Sequence, residues 1–230
     1  MFAVLHDWLI LPIAHCFQWV LETSYQRTHD FGLAILMLSL VFNLVLLPAY
    51  HFAEKVQGRE RAARAAMQAK LEEFKRCFTG QERHMMIAAL YRLHHYHPVF
   101  ALRGLVPLLI QVPVFIAAYG LLSDYPPLQY EHFMGIANLG AADGLLGGVN
   151  LLPIVMTVIN LMAAHVYNRD LSSQERLQTW IVAMLFFVLL YPSPAGLVLY
   201  WTCNNLFSLI KNLVYRVARS SSTLRRTSNA

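Results

Sequence analysis

Charge is scarce in this chain: Asp, Glu, Lys and Arg make up 13% of its 230 residues, about half the ~25% usual in soluble domains. Hydrophobic residues reach 57% and mean hydropathy is +0.44. The apolar positions are bunched into long charge-free stretches, which excludes an ordinary cytosolic enzyme with one large core. Cysteine is equally sparse: Cys16, Cys77 and Cys203 lie far apart with no C-x-x-C spacing, which excludes a disulfide framework and a thiolate metal site and leaves three small buried apolar residues as the expectation. There is no G-x-S-x-G, P-loop or H-E-x-x-H and no pair of intramembrane carboxylates, so neither a nucleophile with its base nor a phosphate cradle is available. His94, His95 and His97 beside Tyr96 have no accompanying carboxylate pattern and read as a surface cluster. The chain is therefore expected to be no enzyme and to use no cofactor or metal.

Five stretches are free of Asp, Glu, Lys and Arg, against the ~20 residues needed to cross a hydrocarbon core. They predict an all-α polytopic membrane protein with spans at about 31–50, 103–123, 148–168, 176–192 and 195–212. The fourth is the shortest and must borrow Arg176 by snorkelling or the segment around Pro192. The net charge of +5 invites nucleic acid, but the positions of the bases explain it without any specific nucleic-acid partner. Of the 18 Lys and Arg residues only Arg27 falls outside the segments facing one side, and the loop from Asp124 to Asp143 carries acids and no base. Short cytoplasmic loops hold the excess of Lys and Arg. That places the amino terminus outside and the carboxyl terminus in the cytoplasm, with a basic tail at 217–230.

Residues 1–29 lack a Lys or Arg before Arg27, and Ile13-Ala14-His15-Cys16 only loosely resembles a lipoprotein cleavage box because His15 stands where a small residue is needed. Polar His15, Gln18 and Glu22 at helical spacing, with Trp8, Phe17 and Trp19 among the apolar remainder, predict an amphipathic helix in the outer interface; an extra or partial span is the alternative. Residues 51–98 are rich in helix formers and charge. They predict a cytoplasmic hairpin: a helix over Ala53–Phe78, a turn at Thr79-Gly80 and a helix over Gln81–Tyr96.

Polar residues inside the five-span core, 30–216, gather toward the inner side: Asn43, Gln111, Asn160 with His165, Gln178 and Thr179, then Asn204, Asn205 and Ser208. The outer halves offer little beyond Tyr200, Trp201 and Ser123. Thr157, Asn160 and Asn168 share one helical face, as do Asn204, Ser208 and Lys211. Polar groups in hydrocarbon must be paired or wetted, so the pattern predicts a hydrated cavity open to the cytoplasm and closed outward, with interhelical glue as the alternative for any single residue. Pro107 and Pro113 remove helix hydrogen bonds in the second span and help shape that cavity.

Pro107-Leu108-Leu109-Ile110-Gln111-Val112-Pro113-Val114-Phe115, and Gly196-Leu197-Val198-Leu199-Tyr200-Trp201 followed by Asn204-Asn205-Leu206, resemble the two motifs of the YidC family of membrane protein insertases, whose relatives include the Oxa and Albino proteins. Phe31-Gly32, Leu47-Pro48, Leu90-Tyr91 and Pro98 fit as well, and the resemblance covers about Leu5 to Arg216. It implies a five-span core with a cytoplasm-open groove, an outer amphipathic helix and a mobile cytoplasmic hairpin. Asn43 departs from the pattern, because the family places an Arg there; the Tyr191–Ala195 turn is longer than usual, and no large periplasmic domain or long basic ribosome-binding tail is present. A reduced or specialised member is the expectation.

The reading is an insertase or membrane chaperone of a bacterial inner membrane. Its partners are newly made membrane proteins and the bilayer, with the Sec translocon or a ribosome as candidate helpers. Asn43, Gln111, Asn160, Asn204 and Asn205 are expected to line the groove, and Leu109 and Leu206 to guide the client. The rivals are a degenerate homologue that stabilises one membrane partner, and a small-solute transporter or channel, which would need outer-half polar lining or an inverted repeat.

Overall fold

The computed structural model describes residues 6–97, 99, 106–167 and 173–228, and it is helical throughout, with two isolated bridges and no strand among the described residues. A π turn at His6–Ile10 leads into α1 (Leu11–Thr28). Then come α2 (Phe31–Cys77), α3 (Gly80–Leu93), α4 (Val106–Ser123), α5 (Leu151–Tyr167), α6 (Ser173–Leu190) and α7 (Ala195–Ser228). Two compact units result, one of Met1–Val45 with Phe115–Ala230 and one of Leu46–Val114.

In the first unit α5 packs against α6 and α7. Helix α1 is held by one stripe, Phe17, Leu21 and Ser24, all buried; the Phe17 ring lies 3.9 Å from Phe42 and 5.5 Å from Tyr200. Trp8, in the preceding turn, and Trp19, off that stripe, are exposed. Phe115, Phe186 and Trp201 form a second aromatic cluster with centroids 5.0 to 5.5 Å apart. Helix α6 leaves Leu177, Trp180, Ile181, Leu185 and Val188 exposed, the kind of apolar face that a helix in contact with lipid carries.

Several boundaries differ from expectation for local reasons. Among the described residues α2 alone is long and apolar enough to cross a membrane; Leu109–Ser123, Leu151–Val166 and Thr179–Leu190 are shorter apolar helices. The third span was expected to begin at about 148, but α5 starts at Leu151 because Gly144, Gly147 and Gly148 have φ of 51°, 59° and 94°, which a right-handed helix cannot hold. Asp143 Oδ2 then accepts the Leu152 N–H at 2.7 Å and caps the helix. Helix α6 stops at Leu190, ahead of Pro192 and Pro194, and α7 runs unbroken into the expected tail, to Ser228. Pro98, residue 103, Gly104 and Asn168, and the side chains of Pro107, Leu108 and Gln178, lie outside the described residues.

The loop between α4 and α5 is a packed element. Met134 and Gly135, with φ of 47° and 88°, make a tight reversal in which Phe133 and Ile136 exchange both backbone bonds, at 2.9 and 3.0 Å. The reversal lays the Phe133 ring on Gly32, where a Cβ would come within 2.0 Å of it. Leu139 and Ala141 carbonyls accept the Gly196 and Ala195 N–H groups at 2.8 and 2.7 Å, satisfying the first donors of α7. Asn138 Oδ1 accepts from the N–H groups of Tyr130 and Gly140, and Asn150 bridges Gly144 N to the Tyr191 carbonyl. Tyr125 donates to Glu22 at 3.3 Å, and burial, with the Glu22 charge beside it, raises its phenol above the ordinary value.

In the second unit α3 ends at Leu93, three residues short of the expected Tyr96, because His95 turns left-handed at φ 47°. Tyr96 then reaches back to the buried Glu60 carboxylate, which also takes Arg64 Nε at 2.8 Å. Burial and the Glu60 bond push the Tyr96 phenol up, and the Tyr96 bond raises the Arg64 guanidinium. The cysteines depart from expectation: Cys16 and Cys77 are exposed and Cys203 is half-buried, since Cys16 lies off the packed stripe of α1 and Cys77 ends α2.

Candidate functional site

A helix that crosses apolar surroundings satisfies its own backbone, so only its side chains can introduce polarity. In the first unit that polarity forms one tier. Asn43 lies twelve residues into α2, Asn160 nine into α5 and Asn204 nine into α7. At 1.5 Å per residue each is ~14 to 18 Å along its helix, close to half of a ~30 Å hydrocarbon core.

Side-chain hydrogen bonds join these depths across helices. Ser39 Oγ donates to Asn204 Oδ1 at 2.7 Å, and Asn43 Nδ2 donates to the same oxygen at 2.5 Å and to the Ser39 carbonyl at 2.8 Å. On the other flank of α7, Asn160 Nδ2 donates to Asn205 Oδ1 at 3.0 Å. Consecutive asparagines on α7 thus reach opposite neighbours, Asn204 to α2 and Asn205 to α5. Two turns further on, Asn212 Nδ2 donates to the Ala163 carbonyl of α5 at 3.1 Å. Asn205 Nδ2 and Asn212 Oδ1 are buried with no partner among the described residues.

Four of the expected groove residues, Asn43, Asn160, Asn204 and Asn205, therefore fall into two hydrogen-bonded pairs, Asn43 with Asn204 and Asn160 with Asn205, brought to one level by adjacent residues of α7. Their exposures differ: Asn43 is 6% exposed, whereas Asn160, Asn204 and Asn205 are half-buried. Gln111 belongs to the second unit, where its Oε1 accepts a 2.8 Å bond from Tyr50. Leu109 and Leu206 are both exposed, at 66% and 44%. His165 is exposed, and Thr157 turns its hydroxyl onto the Pro153 carbonyl of its own helix. Ser39 and Asn212 were missed. Their signals were present: Ser39 is one turn before Asn43, and Asn212 is seven residues after Asn205, each on its partner's face.

Nothing in the tier carries formal charge or a nucleophile poised beside a base. Among the described residues no group of three His, Cys, Asp or Glu side chains could hold a metal ion. What the tier can do chemically is exchange hydrogen bonds at mid-depth in otherwise apolar surroundings.

Comparison with known proteins agrees in fold and sequence. The membrane protein insertase YidC of Methylobacillus flagellatus is 25% identical over 230 residues, covering 100% of this chain and 40% of that protein. That of Shewanella amazonensis is 31% identical over 208 residues, covering 90% and 36%. The chain spans less than half the length of these curated relatives. A crystal structure of an active YidC insertase with its first transmembrane domain resolved matches 89% of this chain and 45% of that one, with a TM-score of 0.57 at 22% identity, which shows a shared fold. The 60Kd inner membrane protein family matches residues 23–221. With most of the chain inside that match and both motif helices contributing to the tier or its aromatic support, the chain belongs to the 60Kd inner membrane protein family, that of the YidC insertases.

Proposed function

We propose that this chain is a membrane protein insertase: it takes a single-span or hairpin client from the cytoplasm and releases it sideways into lipid. The observation that carries the reading is the uncharged amide tier within the charge-free stretches of three helices, in a chain of the YidC family. A polar, wetted inner half shortens the apolar barrier that a client's polar end must cross, and burial of the client's apolar segment in lipid supplies the driving force. No cofactor or covalent step is involved.

On this reading the core, 30–216, crosses the inner membrane five times, amino terminus outside and carboxyl terminus in the cytoplasm. Residues 1–29 lie in the outer interface, residues 51–98 form a cytoplasmic hairpin, and the basic tail 217–230 meets the cytoplasm. Asn43, Gln111, Asn160, Asn204 and Asn205 line the groove, and Leu109 and Leu206 guide the apolar part of the client. The distribution of Lys and Arg supports the orientation. The partners are newly made membrane proteins and the bilayer, with the Sec translocon or ribosome as candidate helpers.

A second reading, a homologue that stabilises one membrane partner without inserting it, draws on Asn43, whose amide is buried and bonded within the fold. Reconstitution into liposomes separates the two. Insertion of a purified single-span client, read as protease protection, should depend on the chain and need neither nucleotide nor ribosome. Liposomes in which the chain protects no client, while a membrane partner in cells still disappears on its depletion, would establish the second reading.

A further inference from the structure

Resting on the insertase reading, we infer that Ser39 and Asn43 are positioning residues that hold the Asn204 carboxamide with its Nδ2 toward the bundle interior, where it donates to a hydrogen-bond acceptor, carbonyl or carboxylate, on the client. The two ends of a carboxamide are told apart by their partners. Here the partners leave one solution. The Ser39 carbonyl oxygen can only accept, so the Asn43 atom 2.8 Å from it is Nδ2. That same Nδ2 is 2.5 Å from Asn204, so the Asn204 atom it meets is the acceptor Oδ1. Ser39 Oγ at 2.7 Å brings a second donor to this oxygen. Both lone pairs of Oδ1 are then occupied, and rotating the amide would set Nδ2 against the Asn43 donor.

Asn204 Nδ2 is consequently directed away from α2, and it has no hydrogen-bond partner among the described residues. Asn204 is half-buried, so the donor lies at the edge of the tier and not sealed within it. A donor in apolar surroundings gains most from an incoming acceptor and gains nothing from an incoming ammonium. The Asn160–Asn205 pair lacks a backbone carbonyl that would fix its orientation, so the directional argument belongs to Asn204 alone. Selectivity for acceptors thus arises in a tier that itself carries no cation.

The test uses the full chain in liposomes and two single-span clients identical except for Glu or Lys at the leading end. The readout is the ratio of their insertion rates, which a purely structural role would not move. The wild type should favour the Glu client by about fivefold, the scale of one hydrogen bond. Asn204→Leu should bring the ratio to about one, and Ser39→Ala should bring it partway, with Ser39→Thr restoring it because the hydroxyl returns. An unchanged ratio in Asn204→Leu and Ser39→Ala, with both rates lowered together, would overturn the positioning role and leave the insertase reading standing. Insertion of neither client by the wild type would overturn both.

Discussion

The loop between α4 and α5 and the amide tier belong to one unit, yet they treat polar groups in opposite ways. In the loop every asparagine amide that packs inward is matched to backbone: Asn138 receives two N–H groups, and Asn150 both receives and donates. In the tier the amides match one another across helices, and Asn205 keeps a buried Nδ2 without a partner among the described residues. Amides tied to backbone groups fix a conformation, whereas amides tied to one another at mid-depth can exchange partners with an incoming segment. The same residue type is scaffold in one place and a contact surface in the other.

Breaking the loop should have the larger effect on stability. Gly32→Ala places a Cβ 2.0 Å from the Phe133 ring, and the overpacking should cost about 2 kcal/mol. A clear fall in apparent Tm in detergent is expected. An unchanged Tm would mean that the Phe133 reversal does not hold the helix ends together.

The tier should be cheaper to break. Asn160→Leu removes the bond to Asn205, and interhelical hydrogen bonds of this kind average ~0.6 kcal/mol. A small Tm change together with a distinct loss of client insertion would sharpen the contrast. A Tm loss as large as that of Gly32→Ala would move Asn160 to the scaffold side.

Much of this was legible in the residues. Charge-free runs pointed to helices, and depth along each run put Asn43 past the middle of its span, Asn160 near the middle and Asn204 and Asn205 in the inner part of theirs. Depth does not name partners, however, because that requires the rotation of each helix about its axis. Ser39 therefore gives no sign of its partner in the sequence, and the side chain of Asn43, a proposed groove residue, is bonded to Ser39 and Asn204 as well. The loop was read only for its acidity; its packing depends on Met134 adopting a positive φ that sequence pattern does not announce. The late start of α5 was closer to the surface of the text, in Gly144, Gly147 and Gly148.

The central claim is that water reaches the amide tier from the cytoplasmic side and stops there. Leu197 and Asn204 lie seven residues apart on one face of α7, with Leu197 fully buried and Asn204 half-buried in the tier. In a background with Cys16, Cys77 and Cys203 replaced by alanine, each position would be changed singly to cysteine and treated, in sealed vesicles, with a small aqueous thiol reagent from the cytoplasmic side. Asn204→Cys should react and Leu197→Cys should not. Equal reaction at both positions, or protection of both, would contradict the account.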